Sequence, residues 1–303
     1  MAKRFSETER EEIAREFQEI LSRDPWEILE GMRLMGTIVL NSDDLFMCLP
    51  RYKNNPAERV QLGAILYPIA KTTTNQLFNL LLTKKTAGKD IVVFTSGGSA
   101  VGKSTLLRAA AKQDDAAFIV DTTLSDFKRA SQMINAARKA RFFVEIHYVF
   151  RPFPDCVRSM VKRALDPQSG RMVPIDDMAR THWGSQNTLL ELAKTAEGAS
   201  DRALTIKFHH SIHRELHSLS PESFLANLHP PIDVLQRIGD DLLNGLREKY
   251  RHSSRSGTKG SSTLCFDDAF YEATRSAIRK GQRAARKKVK SRASKGDGNS
   301  PQT

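Results

Sequence analysis

Three cysteines in 303 residues are too few and too scattered to build on. Cys48, Cys156 and Cys265 suggest neither a disulfide framework nor a cysteine zinc site. No apolar run approaches the ~18 residues that a membrane-spanning helix requires. The opening MAKRFSETEREE is charged rather than signal-like, so the cytoplasm is the expected compartment. Acidic residues are missing between Arg275 and Lys295, where ten Lys and Arg collect. Most of the net charge of +12 therefore sits in a tail, and the total does not imply a basic patch on the folded body. Such a tail can engage nucleic acid or an anionic surface by charge alone. Few aromatics follow Tyr271, so base stacking is not indicated there.

What is present is organised around one stretch, Ile91 to Thr105, IVVFTSGGSAVGKST. The β-branched apolar run Ile91 to Val93, with Phe94, predicts a buried parallel strand. It leads into Gly97-Gly98-Ser99-Ala100-Val101-Gly102-Lys103-Ser104, a match to G-x-x-x-x-G-K-[ST], and then into the helix-forming run Thr105 to Ala110. Glycines allow successive backbone N–H groups to converge on phosphate oxygens at a helix N-terminus. Lys103 would reach the β and γ phosphates, and the Ser104 hydroxyl would complete the shell of a bound Mg²⁺. Gly97, Gly98, Ser99, Ala100, Val101, Gly102, Lys103, Ser104 and Thr105 are thus the candidate ATP-binding residues.

At 40% hydrophobic the chain can bury one substantial α/β core and a smaller accessory unit. Ser6 to Leu21 carries a capping-box pattern and an amphipathic spacing. A second helix is expected from Asp24-Pro25 to Gly36, and a third from Asn55-Pro56 to about Lys85, kinked at Pro68. Residues 1–88 accordingly read as a helical unit without visible chemistry. Residues 89–250 read as the P-loop core, and 251–303 as a linker and basic tail.

A second strand, Ala116 to Val120, ends in Asp121-Thr122-Thr123-Leu124-Ser125-Asp126. A carboxylate at the carboxyl end of a strand beside a P-loop strand lies where ligands of open α/β sheets bind. Asp121 is therefore the candidate general base or Mg²⁺-shell ligand; the bland alternative is a turn aspartate. Asp126 reads as a cap for the following helix. Phe142 to Phe150 is a third strand on which Glu145 and His147 share one side, a pattern better suited to satisfied contacts than to a site. The segment 151–185 is basic and reads as a lid, with Arg163 and Arg171 as cations for a transferred phosphoryl group, or else as solvated helix faces. A fourth strand, Ala203 to Phe208, runs into His209, His213 and His217, which would stack if helical. They lack a carboxylate partner, so zinc is not expected.

With these pieces in this order, residues from about Lys89 to His210 resemble the zeta-toxin family of P-loop kinases and the wider set that includes chloramphenicol phosphotransferase. The resemblance implies a three-layer α/β fold with a mostly parallel sheet, and ATP and Mg²⁺ as cofactors. It implies phosphorylation of a hydroxyl of a small molecule such as a nucleotide-sugar, and a restraining protein partner. On it, Lys103 and Ser104 match the phosphate and Mg²⁺ ligands, and Arg163 and Arg171 the lid arginines. One departure stands out. The toxins carry a long segment, with their catalytic aspartate, between the P-loop helix and the D-G-T-L turn, whereas here only residues from about Lys112 to Ala117 intervene. The alternatives are a P-loop ATPase acting on nucleic acid and a non-catalytic nucleotide-binding module. Against the former, Asp121 is followed by Thr122 and Thr123 rather than by a second acid.

Overall fold

The computed structural model describes residues 5–55, 58–85, 87–112, 115–164, 166, 173–197, 204–212 and 215–255. Arg171, His213 and the basic tail beyond residue 255 lie outside them.

The chain begins as its capping pattern dictates. Ser6 and Glu9 form a reciprocal capping box at the start of α1 (Glu7–Leu21), which buries Ile13, Phe17 and Leu21. Asp24 caps α2 (Pro25–Gly31) by accepting from the Trp26 N–H. The expected continuation to Gly36 does not form. Instead Met35 and Gly36, at φ 52° and 88°, make a tight turn between β1 (Arg33–Leu34) and β2 (Thr37–Leu40). The reading of residues 1–88 as purely helical is corrected by these strands. Thr37-Ile38-Val39-Leu40 is buried at every position and pairs inside the sheet, so β-branched packing there outweighs the helical spacing that precedes it.

Three α-helices follow among the described residues: α3 (Ser42–Leu45), α4 (Pro50–Asn54) and α5 (Arg59–Thr83), with a 3-10 turn at Phe46–Cys48 between the first two and the last continuous through Pro68. Then come β3 (Ile91–Ser96), α6 (Lys103–Ala110), β4 (Ala116–Asp121), α7 (Phe127–Lys139), β5 (Phe143–Phe150), α8 (Phe153–Ala164) and α9 (Ile175–Glu197). The described chain closes with β6 (Leu204–Ile212), β7 (Glu215–Leu219), α10 (Pro221–Ala226) and α11 (Ile232–Arg255). The region after Phe208 is thus a β-hairpin, not a helix. His209 and His217 sit on different strands, and no metal-ligand cluster forms among the described residues.

The seven strands form one sheet in the order β1-β2-β4-β3-β5-β6-β7. The five inner strands are parallel, and β1 and β7 join antiparallel at the edges. Both faces are covered by helices, as a parallel sheet requires. On one face Val92, Phe94, Phe118, Val120 and Ile146 pack with Phe17, Leu66, Phe78 and Ile134. On the other, Val39, Val93 and Ile119 pack under Leu107 and Ala110 of α6, and Val149 packs under α8, α9 and α11. Alternation along β3 sends Val92 and Phe94 one way and Val93 the other. The fold is a three-layer α/β sandwich with the P-loop strand β3 at the centre.

Two glycines test how tightly the layers meet. A Cβ on Gly184 of α9 would lie 2.4 Å from the Ser125 carbonyl oxygen, whereas one on Gly63 of α5 meets nothing within 4 Å. Gly184→Ala should destabilise the fold by about 1–3 kcal/mol through overpacking. Gly63→Ala should stabilise it by about 0.5–1 kcal/mol through helix propensity. Urea midpoints of the two variants, measured side by side, check both signs.

Candidate functional site

The P-loop fills the turn between β3 and α6. Gly97 and Gly102 take φ values of 122° and 101°, closed to most side-chain-bearing residues. A Cβ on Gly97 would also meet the Val149 carbonyl oxygen at 2.5 Å. Ala100 adopts φ 64°, which costs an alanine about 1–2 kcal/mol. That strained residue is held by its neighbours: Val101 is buried beside Leu106, Val149 and Phe153. Arg151, at the end of β5, donates to the Ala100 carbonyl at 3.4 Å. Lys103 folds back across the loop and donates to the Gly97 and Gly98 carbonyls at 3.1 and 3.3 Å. Ser104 is exposed in the first turn of α6, with Thr105 after it.

Asp121 ends β4 beside this loop, because β4 pairs with β3 in a register that sets Thr95 opposite Asp121. The Thr95 hydroxyl donates to Asp121 Oδ1 at 2.7 Å and accepts from the Thr122 N–H at 3.3 Å. From the other side, Asn41 Nδ2 donates to Asp121 Oδ2 at 3.0 Å. The turn after Asp121 is stitched to the P-loop: the Thr123 carbonyl accepts from the Ser96 hydroxyl at 3.2 Å and from the Gly97 N–H at 3.4 Å. Lys103, Ser104 and Asp121 therefore all lie at or after the carboxyl ends of adjacent strands. Asp126 is a helix cap, accepting from the Arg129 N–H.

Helix α9 lies against the loop from the other layer. The Ser99 N–H donates to Thr181 Oγ1 at 3.2 Å, and a Cβ on Gly98 would stand 2.1 Å from the His182 ring. The His182 Nε2–H donates to the Ser99 carbonyl at 2.9 Å. That fixes the tautomer, so Nδ1 must accept from the His229 Nε2–H at 3.2 Å. Burial holds the His182 imidazole down at about 3, with the His229 and Lys103 charges acting the same way, and burial holds His229 at about 4. Both rings are neutral in the fold at pH 7.

Helices α8 and α9, which flank the expected lid, bury Phe153, Cys156, Val157, Ile175 and Met178, and the stretch 167–172 between them lies outside the described residues. Arg163 is half-buried in the last turn of α8, about 15 Å along the helix axis from Phe153, whose ring meets His182 at 5.1 Å. Arg151 is the arginine seen bonded to the loop. Beneath it the buried Cys156 thiol is pushed up to about 12 by desolvation, which makes it inert packing. Glu145 accepts from His147 Nε2 and from Lys207 Nζ at 2.6 Å, which hold its carboxyl at about 2, and His147 also meets His209 at 3.0 Å. That pair is a satisfied network.

The strand, glycine turn and helix, with a strand-end carboxylate on the neighbouring strand, decide the fold. It is a P-loop α/β fold. No family model matches the chain, and no curated protein matches it. Seven chains of solved structures do. One comes from a molecular and structural characterization of the PezAT chromosomal toxin-antitoxin system of Streptococcus pneumoniae. It is 11% identical, with 82% of this chain and 99% of that chain covered, at a TM-score of 0.36.

Asn41, Thr95, Arg151, Thr181 and His182 join the expected residues. Thr95 had a signal in the sequence, as the first polar residue after the apolar run Ile91 to Phe94. Asn41 had none without the strand before it. The donor set also suits the expected metal, since a hydroxyl and a carboxylate are hard oxygen ligands of the kind Mg²⁺ takes.

Stability to urea should fall as the pH drops from 6.5 to 4.5, because His182 and His229 have folded-state values below the ordinary 6.5. In that window the unfolded chain binds protons the folded chain refuses, and the contribution, complete above 6.5, is lost as the pH falls toward the depressed values. His182→Gln keeps a donor for Ser99 and should lower the slope by about 1.4 kcal/mol per pH unit, one proton's worth. Superimposable wild-type and variant profiles would assign the slope elsewhere.

Proposed function

We propose that the protein is an ATP-dependent phosphotransferase that moves the γ-phosphoryl group of ATP to a hydroxyl of a small molecule. The observation that carries this reading is the Asp121 carboxylate, held by Thr95 at the end of the strand adjacent to the P-loop strand. In this reading the Gly97 to Thr105 backbone cradles the phosphates at the N-terminus of α6. Lys103 leaves the Gly97 and Gly98 carbonyls for the β and γ phosphates and stabilises charge on the transferred group. Ser104 and Asp121 would hold Mg²⁺, which when bound neutralises charge between the β and γ phosphates. Alternatively Asp121 orients the acceptor hydroxyl and takes its proton, leaving the metal to Ser104 and the phosphates. Arg151 stands where a second cation is useful, with Arg163 and Arg171 as the further lid cations of the reading.

Transfer is favoured over hydrolysis by the residues that follow Asp121. Thr122 and Thr123 provide no second carboxylate to activate water. The motif order supports a zeta-toxin-like kinase, with a nucleotide-sugar or dinucleotide as acceptor and a restraining protein as partner.

The test is incubation with γ-labelled ATP, Mg²⁺ and a small-metabolite extract. Wild type should place label in a new small molecule, and Lys103→Ala and Asp121→Asn should each lower the rate by about 10²-fold or more. Label found only as free phosphate would replace transfer by hydrolysis. No movement of label would remove the enzyme.

A further inference from the structure

The sequence placed nothing chemical before residue 88, yet the strand-end carboxylate is held from there. β2 pairs in parallel with β4 so that Leu40 faces Val120, and the next residue on each strand is Asn41 and Asp121. The Asn41 side chain is oriented by its own backbone. Its Oδ1 accepts from the Asp43 N–H at 2.9 Å as the cap of α3, which turns Nδ2 toward Asp121 Oδ2 at 3.0 Å. Thr95 holds Oδ1 from the opposite flank. One donor on each oxygen, from the strands on either side, fixes the plane of the carboxylate. Of its roughly four lone-pair sites, two remain for a ligand.

We infer that Asn41 is a positioning residue for Asp121, and that the N-terminal segment is thereby part of the nucleotide-metal site. The inference rests on the phosphotransferase reading, in which Asp121 faces Mg²⁺. It also answers the departure noted in the sequence. The chain between α6 and β4 is too short to bring a strand or a side chain to the outer flank of β4, and β2 with Asn41 occupies that flank instead. Outer-shell donors of this kind set the orientation of a metal-binding carboxylate, and their loss weakens metal binding by about 10- to 100-fold.

A purely structural role is separable, because the two hydrogen bonds of Asn41 can be parted. Asn41→Ser retains an oxygen able to cap α3 but has no amide to reach Asp121. Binding of a fluorescent, non-hydrolysable ATP analogue would be titrated with Mg²⁺ in wild type, Asn41→Ser, Asp121→Asn and the double variant, with thermal midpoints recorded. The expected result is an unchanged midpoint in Asn41→Ser with a Mg²⁺ half-saturation raised about tenfold, and no further rise when the change is added to Asp121→Asn. A wild-type Mg²⁺ response in Asn41→Ser overturns the inference and leaves the phosphotransferase reading standing. An equal added effect in the Asp121→Asn background also overturns it. Absence of any Mg²⁺-supported nucleotide binding in wild type removes the reading and the inference together.

Discussion

A phosphate loop has to leave backbone amides without strand or helix partners, and buried amides in that state are costly. The rest of this structure depends on how that constraint is met. The loop is anchored at its ends and back, leaving its front for a ligand. Gly97 and Ser96 are tied to Thr123, Val101 is sunk among Leu106, Val149 and Phe153, and Ala100 is braced by Arg151. Lys103 occupies the loop's own carbonyls. The positive φ at Ala100, unfavourable by itself, persists because each neighbour is fixed independently.

The back anchor is α9, and it works through missing side chains. Gly98 admits the His182 ring and Gly184 admits the Ser125 backbone, so one helix is clamped to both halves of the site, the P-loop and the turn after Asp121. The hydrogen bonds then run in one direction, from His229 to His182 to the Ser99 carbonyl, which requires two neutral imidazoles. Gln186 locks the chain by pairing with both backbone groups of His229. Site geometry and the protonation of two buried histidines are therefore one problem, and packing and chemistry here share the same residues.

Much of this was legible because the local signals agreed with the global fold. The capping box at Ser6, the apolar run of β3, the P-loop and the Asp126 cap each have one favourable local solution, and the structure takes it. The hairpin Arg33 to Leu40 was not legible. Gly36 serves equally as a helix stop or as a turn residue, and Met35 at φ 52° carries no turn signature. Only pairing with β4, which is non-local, decides for a strand. The buried face of the basic segment after Phe150 was not legible for a related reason. Its charges lie on one side of α8 while Phe153, Cys156, Val157 and Met160 on the other side commit the helix to the core. Spacing shows a charged face without showing that the opposite face is needed.

The N-terminal strand has a physical necessity that the order of the chain conceals. β4 enters the sheet next to β3, with the short connection that follows α6, and its other flank presents a row of unpaired N–H and C=O groups. A parallel partner for that flank needs a crossover of about a dozen residues or more, and none is available between α6 and β4. The chain supplies the partner beforehand: β2 is laid down first, and α3, α4 and α5 form the crossover that returns to β3. The same crossover helices then cover Phe94 and Phe118, with the Phe78 ring 6.1 Å from the one and 6.0 Å from the other. A segment that completes the sheet, covers the core and reaches Asp121 through Asn41 cannot be an accessory to the P-loop core. Its strand fills an interior place in the sheet, and the residue after that strand holds one oxygen of the Asp121 carboxylate.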